Sequence, residues 1–206
     1  MTNIQAYQQS FLSLRKGSGL DFPIHVHIET QAICNAACNF CPYPRLERKG
    51  EVMPTSMFEK IVDDLTAIPR LHKFQLSLFK VNEPLMEPRL YQFLELIREK
   101  LPNALPTITT NASLLTDEHI QNLSKQGLAY LWISFNDHRK DEYQKTMKLP
   151  FIRTVENLKN LHSIKKNGMF ASRVVLSRVG DGTPDDQGFV KWVNAEFPLF
   201  EAGVFQ

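Results

Sequence analysis

The chain has 206 residues, with 24 basic and 22 acidic side chains and a formal charge of +2. That length supports one domain burying roughly 70% of the unfolded chain's surface, and the near-neutral charge gives no reason to expect nucleic acid or an anionic membrane as partner. No apolar run approaches the roughly 20 residues of a membrane span, and Met1–Gln9 lacks the charged and apolar regions of a signal peptide, so the expectation is a soluble, cytoplasmic protein.

Residues 1–20 read as an N-terminal extension and residues 21–206 as a single core domain. The first strand is expected at Ile24–Glu29, followed by a cysteine-bearing loop. A helix is then predicted from Ser56, whose capping box with Glu59 leads into Met57, Ile61, Leu65 and Ile68 at helical spacing. A second strand is expected at Lys73–Phe79. Pro88 suits the first turn of a helix carrying Leu90, Phe93, Leu94 and Ile97. The third strand is expected at Thr107–Asn111, and Thr116 caps a helix through Ile120 and Leu123 that closes near Gly127. The fourth strand is Tyr130–Phe135. Val155, Leu158 and Leu161 mark a helix with a basic last turn that ends at Gly168. The fifth strand is Phe170–Ser177, and Thr183-Pro184 starts a helix through Phe189, Val190 and Val193. A sixth strand begins at Gly203–Gln206, where the chain stops.

Strands alternating with helical crossovers argue for a parallel α/β sheet. Alternation within each strand then separates its two faces. Ile24, Val26 and Ile28 oppose His25, His27 and Glu29; Leu131, Ile133 and Phe135 oppose Trp132, Ser134 and Asn136; Val174 and Leu176 oppose Arg173 and Ser177. A sheet buried on both faces would read as nearly continuous apolar residues. One apolar and one polar face suits a curved sheet around a ligand-holding lumen. The fold class expected is an incomplete parallel (β/α) barrel.

Cys34, Cys38 and Cys41 are the only cysteines of the chain, spaced C-x3-C-x2-C, and they follow the first strand at its C-terminal end. That edge is where parallel α/β folds place their ligands. Soft thiolates select zinc, copper(I) or iron–sulfur clusters, and a 4Fe–4S cluster is ordinarily held by four cysteines. Three therefore leave one iron open, as catalytic metal sites do. The competing readings are a zinc site completed by His25 or His27, an electron-transfer cluster, or unrelated buried thiols.

With Phe40 ahead of the third cysteine, the loop resembles that of the radical S-adenosylmethionine superfamily. Further stretches resemble the family in order. Lys80–Leu85 stands where the family has Gly-Gly-Glu-Pro, with Asn82 and Val81 replacing the glycines. Thr109–Leu115 is similar to Thr-Asn-Gly-x-Leu-Leu, with Asn111 on the lumen side or in a turn. Trp132–Asn136 is similar to Ile-Ser-Leu-Asp, with Asn136 in place of the acid.

The resemblance implies a 4Fe–4S cluster on Cys34, Cys38 and Cys41 and S-adenosylmethionine on its open iron. It implies that Glu83 holds the cofactor's ammonium and that Phe40 lies near the adenine, while Tyr43 packs against the loop. Ser134 and Asn136 would bond the ribose, and Arg173 would take the carboxylate in a bidentate pair, with Arg178 as the alternative. His25, His27 and Glu29 are expected to organise hydrogen bonds. The implied partners are a flavodoxin or ferredoxin as reductant and a peptide or small-molecule substrate. The alternative is a non-catalytic cluster-binding module that needs another chain. The phrase Lys49-Gly50-Glu51-Val52-Met53 is similar to the branch with SPASM or twitch C-terminal domains. Those domains carry further cysteines, so the chain is expected to be a truncated product or a minimal core.

Overall fold

The computed structural model describes residues 22–205; the expected N-terminal extension lies outside the described residues, as does Gln206. Among the described residues six strands run in the order β1 to β6, namely His25–His27, Phe74–Ser77, Ala104–Thr110, Tyr130–Ser134, Arg173–Val179 and Glu201–Phe205. Every neighbouring pair is parallel. β1 and β6 are the two edges, so the sheet is an open partial barrel rather than a closed one. Long crossovers carry the helices α1 (Thr55–Leu65), α2 (Leu90–Lys100), α3 (Asp117–Ser124), α4 (Lys140–Met147), α5 (Phe151–Lys166) and α6 (Pro184–Glu196).

The alternating pattern sorts as expected. Phe74, Leu76, Ile108, Leu131, Ile133, Val174 and Leu176 join one continuous core with the helices. On the opposite face polar side chains bond one another across strands. Gln75 on β2 donates to the Tyr130 hydroxyl on β4, and the Trp132 indole donates to Ser177 Oγ at 2.8 Å. That bond from β2 to β4 passes over β3, as suits a sheet curved toward this face.

Several boundaries differ from expectation for identifiable reasons. α1 starts at Thr55 behind Pro54, with no side-chain cap, so Ser56 is inside the helix and forms no capping box. Its buried face is then Phe58 and Val62, while Met57 is 49% exposed. β3 begins at Ala104 and tolerates Pro106 because β4 flanks it only from Thr107 onward, leaving the proline on a locally one-sided stretch. β5 lies toward the chain's C-terminus from its expected range and ends at Val179. α4 is unexpected: among its residues only Tyr143 and Met147 are buried, one turn apart, too thin an apolar stripe to stand out. The Thr116 cap forms as expected, accepting from the His119 amide at 3.4 Å, and Gly127 and Gly168 follow their helices with φ of +62° and +75°.

At the C-terminal edge of the sheet, Arg178 ties β5 to α6. Its guanidinium donates to Asp186 at 2.6 Å and to Asp137 at 3.3 Å, and pairs with Asp181 at 3.1 Å. The Arg178 side chain is 5% exposed and those of Asp137 and Asp186 are 9% and 13% exposed. Removing one partner of such a pair strands the remaining charges in a poorly solvated place. Arg178→Met is expected to lower the unfolding free energy by about 3–5 kcal/mol, read from the midpoint of urea unfolding at neutral pH.

Candidate functional site

The strands all point their C-terminal ends to one edge, and the loops leaving β1, β2, β3 and β4 meet there. Cys34, Cys38, Cys41, Phe40, Glu83, Thr109, Thr110, Asn111, Ser134 and Met147 line one cavity. Phe40 is 46% exposed at its mouth and also borders a polar cavity of about 300 Å3 that includes Asn136. Six of the eight residues expected around the cofactor and metal, Cys34, Cys38, Cys41, Phe40, Glu83 and Ser134, therefore share one space, and Asn136 sits directly beside it.

The cysteine loop is held from both sides. The C-terminal carbonyls of α4, which a helix leaves without internal partners, accept from it: Asn39 N donates to Thr146 O at 3.0 Å and Ala37 N to Met147 O at 3.4 Å. Cys38 Sγ lies 3.6 Å from Met147 Sδ. Cys34 Sγ accepts from Ala36 N at 3.4 Å, and Cys41 Sγ from Tyr43 N at 3.5 Å. Tyr43 is buried against the loop, as expected. On the other side Asn35 bonds Asn111 and Ser113 of the turn after β3.

Glu83 is 1% exposed. Its Oε1 accepts from Leu85 N at 3.1 Å and from the Thr110 hydroxyl at 2.6 Å, and its Oε2 accepts from Asn111 N at 2.8 Å. A carboxylate offers about four acceptor positions, so these donors leave one on Oε2. Burial nevertheless raises its pKa to about 6, against the lowering by those hydrogen bonds.

Asn136 takes a left-handed backbone, with φ +72°. Its amide donates to Ser134 Oγ at 2.9 Å and to Met147 Sδ at 3.0 Å, while its carbonyl oxygen accepts from Val179 N at 3.0 Å. Because Ser134 Oγ accepts there, its own proton is left to donate. Asn136 thus supports Ser134 and spends both amide hydrogens within the protein.

Arg173 is the expected site residue that the structure does not bring here. Its side chain has the expected lumen parity but the wrong end of the strand. It opens β5 opposite Tyr130, four residues before Ser177 and hence about 13 Å from the cavity edge along the strand. There it makes a bidentate pair with Glu201 at 2.8 and 2.7 Å. Arg178 lies at the correct end but is engaged by Asp137, Asp181 and Asp186.

The row beside the loop is organising, as expected. Glu29 accepts from Val81 N at 2.9 Å and pairs with Arg48. His27 bonds Phe79 O at 3.0 Å, and the His25 and His27 rings lie 4.0 Å apart. Burial, then the neighbouring His27, pushes His25 down to about 4, so it is neutral at physiological pH. Met147, Asn35, Ser113 and Thr110 were not legible as site residues. Only the one-turn spacing of Tyr143 and Met147 hints at the first of them.

Burial raises Cys34 to about 12 and Cys38 to about 11, with Cys38, Cys41 and Glu83 adding to the rise at Cys34 and Cys41 adding to it at Cys38. The three thiols line one cavity wall, where a 4Fe–4S cluster would take them on separate irons. Among the described residues no helix is long and apolar enough to cross a membrane.

Comparisons with known proteins agree with the geometry. The Radical SAM superfamily profile matches residues 28–192. The S-adenosyl-L-methionine-dependent 2-deoxy-scyllo-inosamine dehydrogenase of Niallia circulans is 28% identical over 105 residues, covering 50% of this chain and 41% of that protein. The PqqA peptide cyclase of Bradyrhizobium diazoefficiens is 27% identical over 164 residues, covering 69% of this chain and 41% of that protein. The chain thus spans less than half the length of these curated relatives. The structure of SuiB from Streptococcus suis bound to S-adenosylmethionine superposes with a TM-score of 0.69 at 17% identity, over 98% of this chain and 45% of that one, a likeness of fold. By its sequence from residue 28 to 192, its partial barrel and its cysteine loop, the chain belongs to the Radical SAM superfamily, whose cofactors are a 4Fe–4S cluster and S-adenosylmethionine.

Proposed function

We propose that this chain is the core of an enzyme that cleaves S-adenosylmethionine reductively at a 4Fe–4S cluster held by Cys34, Cys38 and Cys41. The observation that carries the reading is the shared cavity. Three thiols of one loop face it, no fourth cysteine exists, and a buried glutamate with one acceptor position to spare stands in the same wall. When bound, the cluster supplies an electron that splits the cofactor to a 5′-deoxyadenosyl radical, which takes a hydrogen atom from the substrate.

The chain's own residues bind, orient and enclose. Glu83 Oε2 accepts the cofactor's ammonium, since a buried carboxylate is stabilised by a cationic neighbour. The Ser134 hydroxyl, oriented by Asn136, donates to the ribose, and Phe40 covers the adenine at the cavity mouth. Residues of the concave face, Trp132 and Ser177 among them, shape the space for a peptide or small-molecule substrate. A flavodoxin or ferredoxin in the cytoplasm supplies the electron, as the low potential of such clusters, roughly −400 mV or below, requires.

Anaerobic reconstitution with iron and sulfide tests this directly. The wild type is expected to bind about four irons and four sulfides per chain and to release 5′-deoxyadenosine under dithionite. Cys34→Ala, Cys38→Ala and Cys41→Ala should each lose most of the iron and all of that product. A colourless wild type loaded with zinc, or a brown one inert toward S-adenosylmethionine, overturns the reading.

Glu83 gives a second test through its pKa. With its carboxyl raised to about 6, the protonated form predominates below that pH, and only the ionised form attracts an ammonium. Affinity for S-adenosylmethionine should hold at neutral pH and weaken on acidification as Glu83 takes up its proton, toward tenfold per pH unit for one proton linked to binding. Glu83→Gln should bind more weakly at neutral pH and lose this dependence, measured by calorimetric titration of the cluster-loaded protein.

A further inference from the structure

We infer that Asn35, Asn111 and Ser113 form a closed hydrogen-bonded ring that positions the cysteine loop against the Glu83 clamp and sets the reduction potential of the cluster through the Ala36 amide. The inference rests on the cluster assignment proposed above. The ring is complete: Asn35 Nδ2 donates to Ser113 Oγ at 2.8 Å, Ser113 Oγ to Asn111 Oδ1 at 2.6 Å, and Asn111 Nδ2 to Asn35 Oδ1 at 2.8 Å.

Its direction is dictated by one backbone group. The Ser113 amide donates to the Asn111 side chain at 2.9 Å, and a backbone N–H can face only an acceptor. The Asn111 oxygen therefore points at Ser113, its nitrogen at Asn35, and the remaining donors follow in turn. Asn35 is exposed, but Asn111 and Ser113 are 6% and 2% exposed, so an opened ring leaves buried polar groups poorly satisfied. Asn157 steadies the turn from outside, donating to the carbonyls of Ala112 at 2.9 Å and Ser113 at 3.2 Å.

The ring joins the two functional loops. Asn111 N is also a donor to Glu83, and Asn35 lies between Cys34 and Ala36, whose amide donates to Cys34 Sγ at 3.4 Å. Fixing Asn35 fixes that Cys34–Ala36 turn. Hydrogen bonds to ligand sulfur favour the electron-rich reduced state and so raise cluster potentials. Asn35, Asn111 and Ser113 act as positioning residues, without touching the irons.

A closed ring opens when any member is removed, and this distinguishes it from three separate contacts. On metal-free protein, hydrogen exchange over residues 33–42 should rise to the same extent in Asn35→Ala and Ser113→Ala, and the double variant should rise no further. After anaerobic loading, redox titration followed by electron paramagnetic resonance should show all three variants shifted to more negative potential by the same amount. Additive exchange effects, or iron-loaded variants with wild-type potential, overturn the inference. Should the variants fail to hold iron, the exchange measurement alone decides it. A wild type that takes up no cluster while the exchange data behave as a ring refutes the functional reading and leaves the positioning of the loop established.

Discussion

The buried carboxylate of Glu83 is the constraint around which the C-terminal edge of the sheet is arranged. A charge with 1% exposure is tolerated only if its lone pairs are met. The donors that meet them come from two places: the start of its own short turn at Leu85, and the end of β3 at Thr110 and Asn111. The β2 loop is thereby bound to the β3 loop at the point where both leave the sheet. Asn111 then faces the cysteine loop, so the β1 loop is bound to the same turn. Three loops far apart in sequence are brought into register by a single residue's need for hydrogen bonds.

The backbone of that turn takes its shape from Ala112, which adopts a φ of +61° where the family pattern has glycine. A left-handed alanine carries a strain of order 1 kcal/mol. Asn157 and the Thr110 hydroxyl offset it by bonding the carbonyl and amide of Ala112. Asn136 takes a similar backbone at the end of β4 with φ +72°, and it too is held by bonds to neighbouring elements. Non-glycine residues in this region persist where the surroundings over-determine them, and both of these flank the cavity. The left-handed Lys148 plays a different part. It ends α4 so that the last carbonyls of the helix face the cysteine loop.

Most of the architecture was legible because it rests on short-range patterns. Parity separated core from lumen correctly in β4 and β5, since a strand's alternation survives small errors in its ends. The caps at Thr116 and the glycines after α3 and α5 were legible because each answers a local backbone requirement. What failed was longitudinal position. Arg173 has the expected face, but parity says nothing about which end of a strand a residue occupies, and β5 starts there rather than at Phe170. The start of α1 was misplaced for a related reason, although Ile61, Leu65 and Ile68 pack on the core as expected. Pro54 starts it ahead of Ser56 and turns its buried stripe toward Phe58 and Val62. The contacts of Asn35, Ser113 and Met147 were beyond reach, because each depends on two loops meeting in space. Glu83 was visible through its motif, though its hydrogen-bond partners were not.

The electrostatics of the site run in one direction. Cys34, Cys38 and Glu83 all have pKa values raised by burial, and the charge of Glu83 adds to the rise at both cysteines. Burial thus favours the neutral thiol at Cys34 and Cys38 and eases protonation of Glu83. Every raised value marks a group that a cation would return toward ionisation, so cation binding and proton release are coupled. A fold that concentrates ionisable acids in a poorly solvated wall is poised for occupants carrying positive charge. The proposed occupants, irons at the thiols and an ammonium at Glu83, would have the sign that wall favours. Any such binding would stabilise the folded chain by mass action.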